Sequence, residues 1–312
     1  MTPLFTLVAD VLAPLATGYV LRRSGKMNQR QCDLLMLANV IVLVTVMNLS
    51  SFWLLPLDSR LLLLPTLSVI MTLASGLLAI KFFTRRLSNP LEQGAYINCA
   101  MLGNIGTLAG ICAFILYGEV SFAYVQLFAV LQNFLLVVCC FPLSQIYRDR
   151  YLSEGSAAPI QISIRSLLFT KKQIGVLGMA AGLLLHYLNV PRPDIVTQTF
   201  HYMVHIQAWI SFTPVGYVIS FQGASAYIKK VLTLIPLRIL VTIGIFLLAT
   251  CFTDDMTLLK TLLLSAAAPT AINAVIATRL FKLNVDLAVA GFILTTLVYV
   301  LLFFPLFALF LK

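Results

Sequence analysis

Residues 265–280, SAAAPTAINAVIATRL, set Pro269, Thr270 and Asn273 in the middle of a long apolar stretch. Proline there removes a backbone donor and clashes with the preceding turn. A second apolar stretch, NCAMLGNIGTLAGICAF (98–114), carries Asn104 and Thr107 among Gly103, Gly106 and Gly110. Each glycine weakens a helix by about 1 kcal/mol relative to alanine. Both stretches are therefore expected to be interrupted helices. The second half of an interrupted helix starts with free N–H groups and roughly half a positive charge. Proline suits the first turn of such a half-helix, so Pro269, Thr270 and Asn273 are read as lying in it. Asn104, Gly106 and Thr107 take the corresponding place in the other stretch. The chemistry on offer is anion binding, with the carboxamides of Asn104 and Asn273 as further donors. A compact head group such as a carboxylate fits it best.

Other polar residues lie in apolar surroundings. Arg238, in LTLIPLRILVTIG, falls about 13 Å beyond the start of its helix at 1.5 Å per residue, and is read as a charge partner for the anion. Asp10 is read as an acid near an outer surface that meets water, pairs with a base, or couples a cation. His201 and His205 would share a helix face, but no third ligand accompanies them, and they read as part of an interfacial aromatic belt with Tyr202 and Trp209. Asn39, Asn48, Gln126, Gln132 and Asn133 read as amides that knit helices together. Most of the six cysteines fall within apolar stretches, where a free thiol acts as a small hydrophobe, and their spacing matches no zinc site. No metal or cofactor is expected.

The elements that carry these residues follow from composition. Of 312 residues 60% are hydrophobic and 10% charged, and the mean hydropathy is +0.98; soluble proteins carry roughly 25% charged residues. Apolar runs of the length that crosses a bilayer, about 20 residues, recur along the chain. An all-α polytopic membrane protein is expected, with ten transmembrane helices at about 4–21, 33–54, 61–80, 94–117, 122–146, 174–190, 202–221, 230–252, 258–278 and 287–311. The first is read as a membrane helix and not a signal peptide, since it lacks a leading positive charge and a small-residue cleavage site.

The net charge of +10 does not point to nucleic acid, because the basic residues sit in short loops. Alternate loops hold Arg22, Arg23, Lys26 and Arg30; Lys81, Arg85 and Arg86; Arg148, Arg150, Arg165, Lys171 and Lys172; Lys229 and Lys230; Arg279 and Lys282. The remaining loops and the C-terminus hold only Arg60, Arg192, Lys260 and Lys312. By the positive-inside bias the first set is cytoplasmic and both termini lie outside. The expected location is a cell membrane, the inner one in a bacterium.

The longest loop, 147–173, contains SEGSAAP, a flexible composition, and IQISIRSLLFTKK, read as an interfacial helix. It divides the chain into a first five-helix repeat (1–146), a cytoplasmic linker (147–173) and a second five-helix repeat (174–312). With five spans in each half, the second enters the membrane from the opposite side. Gly18 and Gly182 align at a shift of 164 and the FPL at 141–143 recurs at 304–306. The expected architecture is a 5+5 inverted repeat whose broken helices, spans four and nine, cross near the midplane.

These stretches resemble the auxin efflux carrier family, whose bacterial members include proteins assigned as malonate and malate permeases. PTAINAVIA (269–277) is similar to the family's Pro-Thr-Ala-Val-Asn pattern, and NIG (104–106) to the Asn-x-Gly of its other crossing. GYVLRRSGKMN (18–28) resembles its first loop and TPVGYVISFQG (213–223) its Pro-to-Gly segment. Ala109 and Ile111 depart from the Gly and Pro with which the family's span-four motif continues. The resemblance implies transport of organic anions by alternating access, a scaffold of spans 1, 2, 6 and 7, a moving domain of spans 3–5 and 8–10, and homodimers. The expected function is a secondary transporter of small organic anions such as carboxylates, with a proton or sodium as candidate coupling ion. A membrane sensor that binds an anion without moving it is the alternative. An enzyme is not expected, since no paired acids, Ser–His pair or metal cluster shares one depth. No phosphate-binding loop offers ATP chemistry.

Overall fold

The computed structural model describes residues 3–55, 59–87, 89–152, 174–218 and 223–311. Among them every regular element is helical. In chain order these are α1 (Pro3–Arg23), α2 (Gln29–Trp53), α3 (Leu63–Arg86), α4 (Pro90–Met101), α5 (Ile105–Tyr117), α6 (Glu119–Leu152), α7 (Ile174–Tyr187), α8 (Asp194–Val218), α9 (Ala224–Val231), α10 (Leu234–Thr250), α11 (Met256–Ala266), α12 (Ile272–Leu280) and α13 (Val285–Phe310). Five of them, α1, α2, α3, α6 and α13, are long and apolar enough to cross a membrane, and the pair α9 and α10, bent by 45°, makes a sixth. The protein is an all-α chain of membrane-spanning character. The proposed interfacial helix, most of the linker and part of the 213–223 segment lie outside the described residues.

Two helix pairs approach at backbone distance. A Cβ built at Gly18 would overlap the Thr213 carbonyl, and one at Gly216 the Leu15 carbonyl, so α1 and α8 touch along their main chains. Gly178 and Gly182 bring α7 equally close to the Thr45 and Leu49 carbonyls of α2. Small residues permit such approach, which replaces the hydrophobic drive that lipid removes. Asn39 Nδ2 donates to Ser211 Oγ at 2.9 Å and Asn48 Nδ2 to the Gly175 carbonyl at 3.0 Å, tying the same helices together. We expect Gly18→Ala to destabilise the protein by about 1–3 kcal/mol through overpacking. Gly244→Ala, where a Cβ meets nothing, should leave stability unchanged or raised. Denaturant unfolding in lipid nanodiscs compares the two.

The core lies between α4, α5, α6, α11, α12 and α13, and includes Tyr96, Phe122, Phe128, Phe292 and Tyr299, each 1% exposed or less apart from Phe292 at 2%. Two pairs of short helices, α4–α5 and α11–α12, pass through it. The expectation of two interrupted helices meets the structure at Leu102–Asn104 and Ala267–Ala271. Pro269 differs from its expected role: α12 begins at Ile272, so the proline stands in extended chain before the half-helix and not in its first turn. Of the three glycines, Gly103 alone lies in the break; Gly106 and Gly110 are helical, and a Cβ built at either would come within 3.4 Å of the Gln126 side chain of α6.

Candidate functional site: an uncapped helix crossing

The two breaks meet as a short antiparallel pairing centred on Gly103 and Thr270. The Asn104 N–H donates to the Pro269 carbonyl at 2.6 Å and the Ala271 N–H to the Leu102 carbonyl at 2.9 Å. Breaks inside a bilayer persist only when their backbone groups find partners, and side chains from two neighbouring helices, α6 and α13, supply several of them. Gln132 Nε2 donates to the Gly103 carbonyl at 2.6 Å, and Gln126 Nε2 to the Gly106 carbonyl at 2.7 Å. The Thr270 N–H donates to Thr295 Oγ1 at 3.0 Å.

Four half-helix ends converge at this point. At the C-terminal ends of α4 and α11 stands Arg238 of α10, buried at 8% exposure. Its Nη1 donates to the Ala268 carbonyl at 2.8 Å, and its Nη2 to the carbonyls of Cys99 at 2.7 Å and Leu102 at 3.2 Å and to Thr270 Oγ1 at 3.2 Å. Thr270 Oγ1 in turn donates to the Cys99 carbonyl at 3.1 Å. A cation is thus placed where two helix dipoles turn their negative ends. Arg238 and Thr270, both expected to meet the anion, are engaged with these ends.

The N-terminal ends of α5 and α12 are in the opposite condition. Neither has a side-chain cap: the N-cap positions are Asn104 and Ala271, and no cap hydrogen bond forms. Elsewhere four helices carry side-chain caps, whereas α3, α6, α9 and α10 carry none. Asn28, Asn89, Asp255 and Asn284 each accept from the first turn of the helix that follows. Asn104, a residue type strongly favoured as a cap, leaves its own helix uncapped. The first turn of α5 is widened, with Ala109 N–H bonded to the Asn104 carbonyl at 3.3 Å. Among the described residues the N–H groups of Ile105, Gly106 and Thr107, and of Ile272 and Asn273, have no acceptor. The side chains of Asn104, Thr107 and Asn273 are partly exposed and make no hydrogen bond among the described residues. What this arrangement can do is accept an acceptor-rich group on amides held by two helices.

Of the seven residues singled out in the sequence, the structure brings all to one crossing and sorts them. Asn104, Gly106, Thr107 and Asn273 lie at its N-terminal ends; Thr270 and Arg238 at its C-terminal ends; Pro269 is buried between. Gln126, Gln132 and Thr295 were missed as parts of the crossing. The two glutamines did carry a signal, being amides in the span that follows a predicted break. Asp10 is not at the crossing. It is 4% exposed and its Oδ2 lies 2.6 Å from His205 Nδ1, so it is buried against a base and does not simply meet water. His201 packs edge-on to the His205 ring at 5.3 Å between centroids.

No protein-family model matches the chain, and no curated protein matches it.

Proposed function

We propose that the chain is a secondary transporter of small organic anions, most of all of compounds with a single carboxylate head group, and that it binds them at the uncapped ends of α5 and α12. One observation carries the reading: two half-helix N-termini, with three unbonded polar side chains beside them, stand open at one crossing. Each N-terminus contributes roughly half a positive charge, so together they match about one anionic charge. The cation nearby, Arg238, is occupied by four oxygen acceptors. A second carboxylate of the same cargo would find no counter-charge.

In this reading the chain crosses a cell membrane ten times, both termini outside, as two inverted five-helix repeats related to the auxin efflux carrier family. A helix or a pair of half-helices falls in each of the ten apolar segments, which supports the count. The repeat is supported by packing. Gly18 of α1 seats against α8 while its counterpart by shift, Gly182 of α7, seats against α2. Moving the crossing relative to these glycine-locked pairs would expose the anion alternately to each side, driven by membrane potential or by a coupled proton or sodium.

Binding is testable before transport. Reconstituted protein is titrated with acetate, lactate, benzoate, malonate and succinate, and its thermal unfolding followed. The expected result is stabilisation by one or more monocarboxylates. Stabilisation by none of the five would count against a carboxylate site. A ligand that stabilises but is never moved across the membrane would favour the sensor.

A further inference from the structure

We propose that the ion pair between Arg192 and Glu119 is the gate that closes the transport path on the side of the N-terminus, an inference that rests on the transport reading above. Arg192 Nη1 and Nη2 donate to Glu119 Oε2 at 3.1 Å and Oε1 at 2.6 Å, a bidentate pair with side chains 6% and 12% exposed.

Its place in the fold makes it a gate. The helices fall into two groups. One is α1, α2, α7 and α8, joined by the glycine contacts and by Asn39–Ser211, Asn48–Gly175 and Asp10–His205. The other holds the crossing, joined by Arg238, Gln126, Gln132, Thr295 and the pair of Lys230 with Glu92. Arg192 precedes α8 and belongs to the first group; Glu119 opens α6 and belongs to the second. Among the hydrogen bonds between described residues, no other side-chain bond crosses from one group to the other. Rings pack across the seam, Phe114 and Phe122 against Phe200 at 5.6 and 5.5 Å between centroids, and α2 also packs on α6 and α1 on α5 and α13. Such surfaces can slide or part without stranding polar groups.

A cavity of about 720 Å³ lies along the seam beside the pair, lined by Thr197, His201 and His205 from one group and by Phe114, Ile115 and Glu119 from the other. The pair is held rigidly at its rim. Gly118, with φ 83° and ψ −165°, turns α5 directly into α6 at Glu119; that backbone region is essentially reserved for glycine. Pro191 and Pro193 flank Arg192. Arg192 Nε is buried without a partner, so the guanidinium depends on Glu119 for its compensation. A buried charge deprived of its partner is costly. The pair is therefore stable when closed, and stable when water reaches both members, but not between. That gives the seam two states and not a continuum.

The test uses accessibility, which requires no cargo. Thr107→Cys, in a background with Cys139→Ser and Cys251→Ser, the cysteines that are not buried, is labelled in proteoliposomes by a membrane-impermeant maleimide from the N-terminal side. Glu119→Gln and Arg192→Gln should each speed labelling by roughly tenfold, the scale of a population shift worth one broken interaction. The charge exchange Glu119→Arg with Arg192→Glu should return the rate toward the parent, which separates gating from misfolding. A disulfide between Glu119→Cys and Arg192→Cys, formed by adding copper–phenanthroline as oxidant and removing it before labelling, should hold labelling of Thr107→Cys at or below the parent rate. Equal labelling in parent, single variants and exchange would overturn the gate. It would leave carboxylate binding and uptake untouched, whereas failure of binding and uptake with gated labelling intact would remove the cargo assignment alone.

Discussion

Arg238→Ala is expected to cost the protein a large part of its stability, whatever it does to affinity. The guanidinium is bonded to three carbonyls, of Cys99, Leu102 and Ala268, and to the Thr270 hydroxyl. Those carbonyls end α4 and α11 inside the core, on residues that are all buried. Hydrogen bonds to a charged group contribute about 1.5–3 kcal/mol each, and buried acceptors left bare cost on a similar scale. The contributions do not add independently, so a total loss on the order of 3–5 kcal/mol is expected, as for other buried charges that lose a partner. Against a whole-protein stability of roughly 5–15 kcal/mol that is a large fraction. Arg238→Lys keeps the charge at the helix ends but brings a compact ammonium in place of the planar fork, and should fall between alanine and the parent. Denaturant unfolding in nanodiscs, with size-exclusion profiles as a check on folding, measures both. An Arg238→Ala protein as stable as its parent but unable to take up anion would show that the side chain serves the cargo and not the helix ends.

Asn273→Ala is expected to do the reverse: leave stability alone and remove binding. The Asn273 carboxamide makes no hydrogen bond among the described residues and sits, partly exposed, in the first turn of an uncapped helix. Its removal therefore strands nothing. A hydrogen bond from it to a bound carboxylate would be worth about 1.5–3 kcal/mol, so affinity should fall roughly 10- to 100-fold. Asn104→Ala belongs to the same class, with one difference. The Asn104 main chain makes the 2.6 Å bond to Pro269 that closes the crossing, but that bond does not use the side chain. Arg238→Ala and Asn273→Ala thus separate the two poles of the crossing, one structural and one open.

How much of this was legible in the sequence depends on what each residue answers to. Pro269 and Gly103 mark breaks because proline and glycine act through their own backbones, and local effects are readable locally. The helices followed from apolar run length, which reports the solvent around them. Arg238 was assigned to the anion because a charge deep in an apolar run suggests a charged partner. Its partners are backbone carbonyls of helices some 30 and 139 residues away, and main-chain atoms leave no mark in a sequence. Asp10 and His205 are 195 residues apart, and Glu119 and Arg192 73 apart. Neither pairing has a local signature. Pro269 itself was set one turn too far into its helix, since a proline at N1 and a proline in the extended chain before a cap look alike until the pairing with Asn104 is known.

The most direct test of the central claim is counterflow uptake in proteoliposomes, with labelled mono- and dicarboxylates run in parallel on the parent and on Asn273→Ala. The account expects saturable uptake of a monocarboxylate, weaker or absent uptake of dicarboxylates, and loss of uptake in a variant that unfolds like its parent. Folded, inserted protein that moves no carboxylate, or uptake that Asn273→Ala leaves unchanged, would contradict it.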